Sequence, residues 1–298
     1  MTAPETQAVM VPKTSALNTA ALRLRTRFPW VSAVSYAVIG IYVVVALLGP
    51  LFLPYDPVAT EVGERLLPPG SPTEGGTAVL GTDGVGRDVL AQIVYGARTS
   101  LFIGTVVVLI TGIVGVALGA AAGFFGGWTD VGVSRVIDIL MAFPGILLAL
   151  VISGLLERGV HVVIIALCVA GWVGFARLSR SIAITIRERE WVEAARLMGV
   201  GRFAMIARHI LPFVLGSVVA LASIELAGAI LAEAALSFLG LGLPSSVPSW
   251  GQTISAGKEY LGSAWWISVF PGLALTLLVV AIGLVGDDLT RRFTQIRV

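Results

Sequence analysis

The stretch LFIGTVVVLITGIVGVALGAAAGFF, residues 101–125, contains no charged side chain. A hydrocarbon core about 30 Å thick requires about 20 helical residues, because each residue advances an α-helix by about 1.5 Å. A backbone in lipid must satisfy its hydrogen bonds within its own segment, which favours a helix over an isolated strand. Residues 101–125 therefore predict a membrane-spanning helix.

Similar apolar runs occur along most of the chain. Hydrophobic residues make up 56% of the 298 residues and charged residues only 13%, whereas soluble domains are about 25% charged. The runs lie at 31–53, 101–125, 136–156, 160–176, 211–236 and 264–286. The run at 160–176 is slightly short, and the first run is interpreted as a retained span rather than a signal peptide, because no small-residue cleavage site follows it. We expect an all-α polytopic membrane protein with six transmembrane helices.

The distribution of basic residues predicts the orientation of these spans. With the N-terminus inside, 5 of the 20 Lys and Arg residues fall outside, which leaves 15 in cytoplasmic segments. The external ones are Arg65, Arg87, Arg98, Arg158 and Lys258. Because cytoplasmic loops are enriched in Lys and Arg, both termini are expected in the cytoplasm. The net charge of +2 therefore does not call for a nucleic-acid partner.

The spans divide the chain into a cytoplasmic tail, a first helix, an external segment, a core domain and a second tail. The predicted boundaries are 1–30, 31–53, 54–98, 99–290 and 291–298. At the end of the external segment, Val89, Leu90, Ile93, Val94 and Ala97 recur at helical spacing, opposite Asp88, Gln92 and Tyr95. This pattern predicts a helix lying at the membrane interface.

Three glycines of the second span form a stripe of small residues. Gly115, Gly119 and Gly123 are spaced by four, so they lie on one face of a helix. Such a stripe lets two helix backbones approach closely. We expect it to serve packing within one subunit rather than a dimer interface.

The charged segment between the fourth and fifth spans, 187–212, has a defined helical pattern. Trp191, Ala194, Ala195 and Met198 fall on one side of a helix, while Arg189, Glu193 and Arg196 fall on the other. Gly199 is placed to end this helix with a left-handed residue. A second amphipathic stretch, 202–210, precedes Pro212 at the start of the fifth span. The segment either rests on anionic lipids of the inner leaflet or forms a docking surface for a soluble partner.

Catalytic and metal-binding patterns are absent from the sequence. Cys168 is the single cysteine, and His161 and His209 are predicted at opposite membrane faces. The segment nearest to a phosphate-binding loop, residues 251–260, has the wrong glycine spacing and carries Glu259 where Ser or Thr is required. We expect no metal, no cofactor and no catalytic residue in this chain, so other subunits must bind ATP if ATP drives transport.

Several motifs carry a resemblance to a known family. Six residues of segment 187–212 resemble the EAA loop of permease subunits of bacterial ABC importers; they are Glu193, Ala194, Ala195, Gly199, Leu211 and Pro212. Further motifs resemble the C-type permease of dipeptide, oligopeptide and nickel importers; they are LGTDGVGRD (80–88), YGARTSL (95–101), FPG (143–145 and 270–272), EAALSFLGLG (233–242), Trp250-Gly251 and GDDL (286–289). Residues 91–92 are Ala-Gln where those permeases usually have Ser-Arg.

This resemblance implies a type I ABC importer permease fold in the bacterial cytoplasmic (inner) membrane. Residues 99–290 would be the core permease domain, and 187–212 would hold a coupling helix seated in a groove of an ATPase. The ATPase-coupling residues would be Trp191, Glu193, Ala194, Ala195, Arg196, Gly199, Arg202, Leu211 and Pro212. The implied partners are a second homologous permease, two ATPase subunits or one fused ATPase that bind ATP and Mg, and an external solute-binding protein.

Two carboxylates of the fifth span are candidates for the translocation path. Glu225 lies about 14 residues into 211–236, roughly 21 Å along the helix, and is the deepest ionisable group. It is expected either to face the path between two permeases or to form a structural hydrogen bond. Glu233, nearer a membrane face, is the second candidate.

The resemblance implies a solute from the dipeptide and oligopeptide class, with nickel or another small solute as the alternative within the family. A secondary transporter or channel would be expected to show intramembrane charge pairs and an inverted repeat. A membrane-embedded enzyme would require a catalytic constellation within the spans.

Overall fold

A computed structural model describes residues 29–53, 56 and 60–295. Most of the predicted N-terminal tail and residues 296–298 lie outside this range. In chain order the helices are α1 (Pro29–Phe52), α2 (Val89–Phe125), α3 (Gly127–Met141), α4 (Gly145–Leu155), α5 (Val160–Arg187), α6 (Glu190–Leu197), α7 (Arg202–Met205), α8 (Leu211–Phe238), α9 (Trp250–Gly257) and α10 (Trp266–Gln295). Strands β1 (Ser71–Thr73) and β2 (Gly76–Ala78) form an antiparallel hairpin.

Five stretches of helix are long and apolar enough to cross a membrane. They are α1, α2, α5, α10 and a continuous stretch from Arg202 to Phe238 that joins α7, a π-helical segment at Ile206–Ile210 and α8. The pair α3–α4 supplies a sixth crossing if the two helices act as one span. The structure therefore confirms an all-α membrane protein.

The third predicted span, 136–156, is not one helix. It is divided between α3 and α4, which meet at an angle of 81°. The break contains Phe143 and Pro144, and a proline both lacks a backbone donor and disfavours helical backbone at the residue before it. The first half, α3, is held against α5, because the Arg180 guanidinium of α5 donates to both carboxylate oxygens of Asp130 on α3.

Two other predicted boundaries are also wrong. The run at 160–176 continues as α5 to Arg187, a helix of 28 residues, so this span is not short. The external helix before the second span is part of α2, which is 37 residues long and begins at Val89. Gln92, which the sequence placed on a polar face, is buried and bonded to Asp83 and to Thr253 of α9.

The glycine stripe of α2 packs against α5 within the subunit, as predicted. A β-carbon added at Gly115 would lie 2.4 Å from the Trp172 carbonyl oxygen, and one at Gly119 would lie 2.2 Å from that of Ala176. A β-carbon at Gly123 would likewise lie 2.5 Å from the carbonyl oxygen of Arg180, one turn further along α5. Only glycine allows the two backbones to approach this closely.

The short helix α9 packs between α8, α10 and the N-terminal part of α2. Its first residue, Trp250, is fully buried; its indole nitrogen donates to the Ile93 carbonyl at 2.9 Å, and its ring lies edge-on to Tyr42 at 6.0 Å. Gly96 leaves space for this contact, since a β-carbon there would lie 2.6 Å from the Trp250 ring, and Gly251 allows α9 to approach the Ala234 backbone of α8. The end of the bundle that carries α9 is therefore closed by interlocked side chains.

Candidate functional site

Helix α6, the predicted coupling helix, is held on the body of the protein by one apolar face. Val192 is fully buried and Ala195 is 6% exposed. Both belong to a cluster that includes Phe124 at the end of α2 and Ile186 near the end of α5. Leu211 packs against the same cluster from the start of α8. The helix is consequently fixed to three long helices rather than carried on a loose loop.

The C-terminus of α6 has the geometry predicted from Gly199. The Gly199 backbone has a φ of +83°, in the left-handed region. The Gly199 amide donates to the Arg196 carbonyl, and the Val200 amide donates to the Ala195 carbonyl at 3.1 Å. These two bonds form a Schellman motif, which satisfies carbonyls that the helix end would leave free. The motif fixes where α6 stops and where the following chain turns.

Two of the predicted coupling residues make contacts within the subunit. The Arg196 guanidinium lies 5.1 Å from the ring centroid of Phe124, in a cation–π arrangement. Trp191 stacks on Phe213 at 5.9 Å and lies 5.8 Å from the ring of His209. These contacts attach both ends of α6 to neighbouring helices. We therefore see Trp191 and Arg196 as residues that position the helix.

The opposite face of α6 and the chain beyond it are exposed. Glu193, Ala194, Arg202 and Pro212 are all exposed. Three large apolar side chains in this stretch are also exposed and were not predicted as coupling residues: Leu197 is 86% exposed, Met198 77% and Phe203 81%. The sequence grouped Met198 with Ala195 on one side of the helix; in the structure Met198 is exposed and Ala195 is buried together with Val192. We call Glu193, Leu197, Met198 and Phe203 the α6 surface.

Glu233 lies in the protein interior. Its carboxylate is fully buried and accepts hydrogen bonds from Ser100 at 2.9 Å and from Ser237 and Ser249 at 2.8 Å. The three serines come from α2, from α8 itself and from the start of α9. Glu233 thus joins three segments of the structure, and its contact with solute stays a prediction.

Glu225 has a different environment. It is half-buried on α8 and lines a cavity of about 310 Å³ between α2, α4, α5 and α8. A β-carbon at Gly174 of α5 would lie 3.0 Å from its Oε1 atom. The carboxylate thus borders a cavity, and the two roles that the sequence left open for Glu225, facing the path or forming a structural hydrogen bond, stay predictions.

A second, larger cleft lies beside α9 and the loop that precedes α2. It has a volume of about 580 Å³ and is lined by four basic residues, Arg65, Arg87, Arg158 and Lys258. Asp83 organises this loop, because its carboxylate accepts from the Val85 and Arg87 amides and from the Arg87 guanidinium, each at 2.9 Å. All four basic residues belong to the set predicted outside the cell.

The described residues contain no group of three or more His, Cys, Asp or Glu side chains that could hold a metal ion. Cys168 is half-buried within the helix bundle. The described part of the chain therefore presents exposed surfaces and cavities, and none of them carries a cluster of metal ligands.

Comparison with known proteins identifies the family. Residues 115–295 match the family described as binding-protein-dependent transport system inner membrane component. The chain is 39% identical over 246 residues to the di/tripeptide transport system permease protein DppC of Pseudomonas aeruginosa, covering 82% of this chain and 81% of the relative. It is 35% identical over 260 residues to the nickel transport system permease protein NikC of Escherichia coli K12, covering 87% and 92%.

A solved structure shares the fold. An inward-facing form of the MetNI methionine ABC transporter matches with a TM-score of 0.56 and 20% identity, covering 68% of this chain and 96% of the matched chain. At that identity the likeness concerns the fold alone. The family match and the relatives show that the chain belongs to the family of binding-protein-dependent transport system inner membrane components.

Proposed function

We propose that this subunit imports dipeptides or oligopeptides together with a second, homologous permease. Two ATPase subunits, or one fused ATPase, bind ATP and Mg and hydrolyse the nucleotide, and an external solute-binding protein delivers the solute. The transported solute passes between the two permeases. The peptide class is supported by relatives named as peptide and dipeptide permeases. Nickel, from the name of another relative, is the second candidate.

The α6 surface is the observation that carries the coupling role. Large apolar side chains that stand in water are unfavourable unless a partner covers them, and an exposed apolar patch with a polar rim is typical of an interaction site. Here the patch lies at the end of a helix whose other face is locked into the bundle. A motion of a bound ATPase would therefore reach α2, α5 and α8 directly.

The cleft beside α9 supports a role at the other face. Its lining carries four basic residues against two acidic ones, Asp83 and Glu259, and this excess of positive charge would complement an acidic patch on a solute-binding protein and speed association. Lipids remain in contact with the exposed apolar flanks of the spanning helices.

Purification tests this assignment. The tagged chain, expressed with its neighbouring genes and extracted in mild detergent, is expected to retain ATPase subunits and a second permease. In proteoliposomes it is expected to take up a radiolabelled dipeptide only with ATP inside and binding protein outside. Transport by this chain alone would contradict the proposal, and ATP-dependent uptake of nickel without uptake of peptides would replace the solute class.

The orientation gives a direct prediction. Reporter fusions should place residue 75 outside the cytoplasm and residue 195 inside it, because 15 of the 20 basic residues then face the cytoplasm. Alkaline phosphatase fused at residue 75 should be active and green fluorescent protein fused at residue 195 should fluoresce. The reverse pattern would place the α6 surface on the wrong side for any ATPase.

The end of α6 gives a second prediction. Gly199→Val is expected to lower uptake strongly while the subunit still assembles, because a β-branched residue resists a φ of +83° at a cost of order 1–3 kcal/mol. No atom lies within 4 Å of the added β-carbon, so the effect would come from the backbone. The measurement is uptake per assembled complex.

Matched controls for Gly199→Val lie at the same loop. Gly201 has a φ of −64° and equally open surroundings, so Gly201→Val should leave uptake near normal. Asparagine tolerates left-handed backbone better than valine, so Gly199→Asn should retain more activity. Equal loss in Gly201→Val and Gly199→Val would refute a role for the helix end.

A further inference from the structure

The cavity of about 310 Å³ that contains Glu225 is lined almost entirely by small and apolar side chains. Glu225 and Thr111 are the polar side chains among its lining residues, and no basic residue is among them. A carboxylate in such surroundings is costly unless a cation or hydrogen-bond donors accompany it. A ligand or a partner that supplies a cation or hydrogen-bond donors would therefore stabilise the Glu225 carboxylate in this cavity.

The carboxylate of Glu225 has no hydrogen-bond donor beside it in the described part of the chain. Among the residues that the structure describes, none forms a hydrogen bond or an ion pair with it, in contrast to Glu233 two turns further along α8. Its Oε1 atom instead lies over Gly174, a position on α5 without a side chain. The oxygen atoms thus remain available to the cavity.

Thr111 supplies no free donor to the cavity. Its hydroxyl donates to the Val107 carbonyl of its own helix at 2.8 Å, which leaves only acceptor capacity on that oxygen. Its methyl group lies over Gly171, since a β-carbon there would be 2.9 Å from Cγ2. Gly171 and Gly174 are three residues apart, about 4.5 Å along α5. Thr111 and Glu225 therefore contact adjoining positions of one helix.

We propose that this cavity binds the ammonium group, or another cationic N–H donor, of the transported solute. A ligand that fits two acceptors and no donor must itself donate, and a cation also neutralises the carboxylate in apolar surroundings. The inference rests on the proposed function in that the solute is taken to cross beside α8. It adds a chemical class: the group that enters is positively charged, as the amino terminus of a peptide is.

The test uses a thiol reporter placed beside Glu225. Gly228 lies one turn along α8, lines the cavity, and has no atom within 4 Å of an added β-carbon. In a Cys168→Ala background, Gly228→Cys in the purified, assembled transporter is treated with cationic 2-aminoethyl or anionic 2-sulfonatoethyl methanethiosulfonate. The intact mass of this chain reports the labelling rate, corrected for each reagent's rate with a free small thiol.

We expect the ratio of cationic to anionic labelling to fall about tenfold or more when Glu225→Gln is added, because one charge within about 6 Å acts on both reagents in opposite directions. Glu225→Asp should keep the ratio high. Gly132→Cys, on α3 with equally open surroundings, should show no dependence on residue 225. Comparable complex yield for every variant shows that assembly is intact.

Three results would overturn the inference. The first is a ratio that Glu225→Gln leaves unchanged, as expected if a basic residue of the second permease already pairs with Glu225. The second is no reaction of Gly228→Cys with either reagent, which would mean that solutes cannot reach the cavity. Loss of assembly in both Glu225→Gln and Glu225→Asp would assign a structural role. Labelling needs neither ATP nor peptide. The labelling ratio can therefore be interpreted even if the transported solute proves not to be a peptide.

Discussion

Replacing Glu193 with arginine is expected to abolish solute uptake while the subunit remains inserted and assembled in the membrane. Glu193 is exposed on the α6 surface, and a substitution at such a position usually changes stability by no more than about 0.5 kcal/mol. A reversed charge inside an interface, however, commonly costs several kcal/mol, enough to uncouple a partner. Uptake in proteoliposomes, normalised to complex yield, measures the effect.

The control for this charge reversal lies on another surface of the same chain. Glu74→Arg changes the same charge at an exposed position in the turn between β1 and β2, outside the cleft beside α9, and should leave uptake near normal. ATP hydrolysis by the complex in the absence of solute-binding protein separates the two sites further. Normal uptake by Glu193→Arg would remove α6 as the coupling element.

Gly119→Ala is expected to prevent the subunit from accumulating in the membrane. The added β-carbon would lie 2.2 Å from the Ala176 carbonyl oxygen and 2.8 Å from the Ala176 Cα atom. Both are backbone atoms and cannot rotate away, so α2 and α5 would have to separate along their shared interface. Overpacking of this kind costs about 1–3 kcal/mol or more. The measurement is the amount of chain in isolated membranes.

Gly112 provides the matched control on the same helix. A β-carbon there would lie 3.9 Å from the Phe175 ring, an ordinary van der Waals contact, so Gly112→Ala should accumulate normally. Gly112→Ala and Gly119→Ala are expressed separately, in one series under identical conditions. Similar yields for the two variants would show that the contact between α2 and α5 is less tight than described.

Sequence periodicity and composition predicted the features that depend on neighbouring residues in the chain. Residues 101–125 had to be helical because their backbone is in lipid, and Gly119 had to face another helix because its neighbours at spacing four are also glycine. Gly199 had to end α6 because no other residue takes positive φ so easily. Each of these conclusions rests on local chemistry, and each holds in the structure.

The break between α3 and α4 shows what hydropathy does not record. The run at 136–156 is apolar throughout its second half, so its composition predicts one span, although Pro144 interrupts its hydrogen bonds. Likewise, α5 continues past residue 176 into a more polar stretch, in which Arg180 pairs with Asp130, fifty positions away in sequence, and Ala183 and Ile186 are buried. These long-range contacts are not contained in the local sequence.

The sites show the same limit. The motif around Glu193 located α6, but the packed face of this helix depends on Phe124 and Ile186, which come from other helices. For that reason the burial of Val192 and the exposure of Leu197 were not predicted. Glu225 and Glu233 are two turns apart on one helix, and only the three serines around Glu233 distinguish a structural carboxylate from an available one.

The length of α2 has a mechanical consequence. Its 37 residues measure about 55 Å, well beyond the hydrocarbon core, so one continuous rod extends past the bilayer. Near its first turn it accepts the indole of Trp250, and near its last turn Phe124 lies under Arg196 of α6. Pivoted at its centre, a tilt of about 5° would move each tip by roughly 2.4 Å in opposite directions, by the same helical rise. Such a lever would convey a push on α6 to the far end of the protein without any intermediate change of conformation.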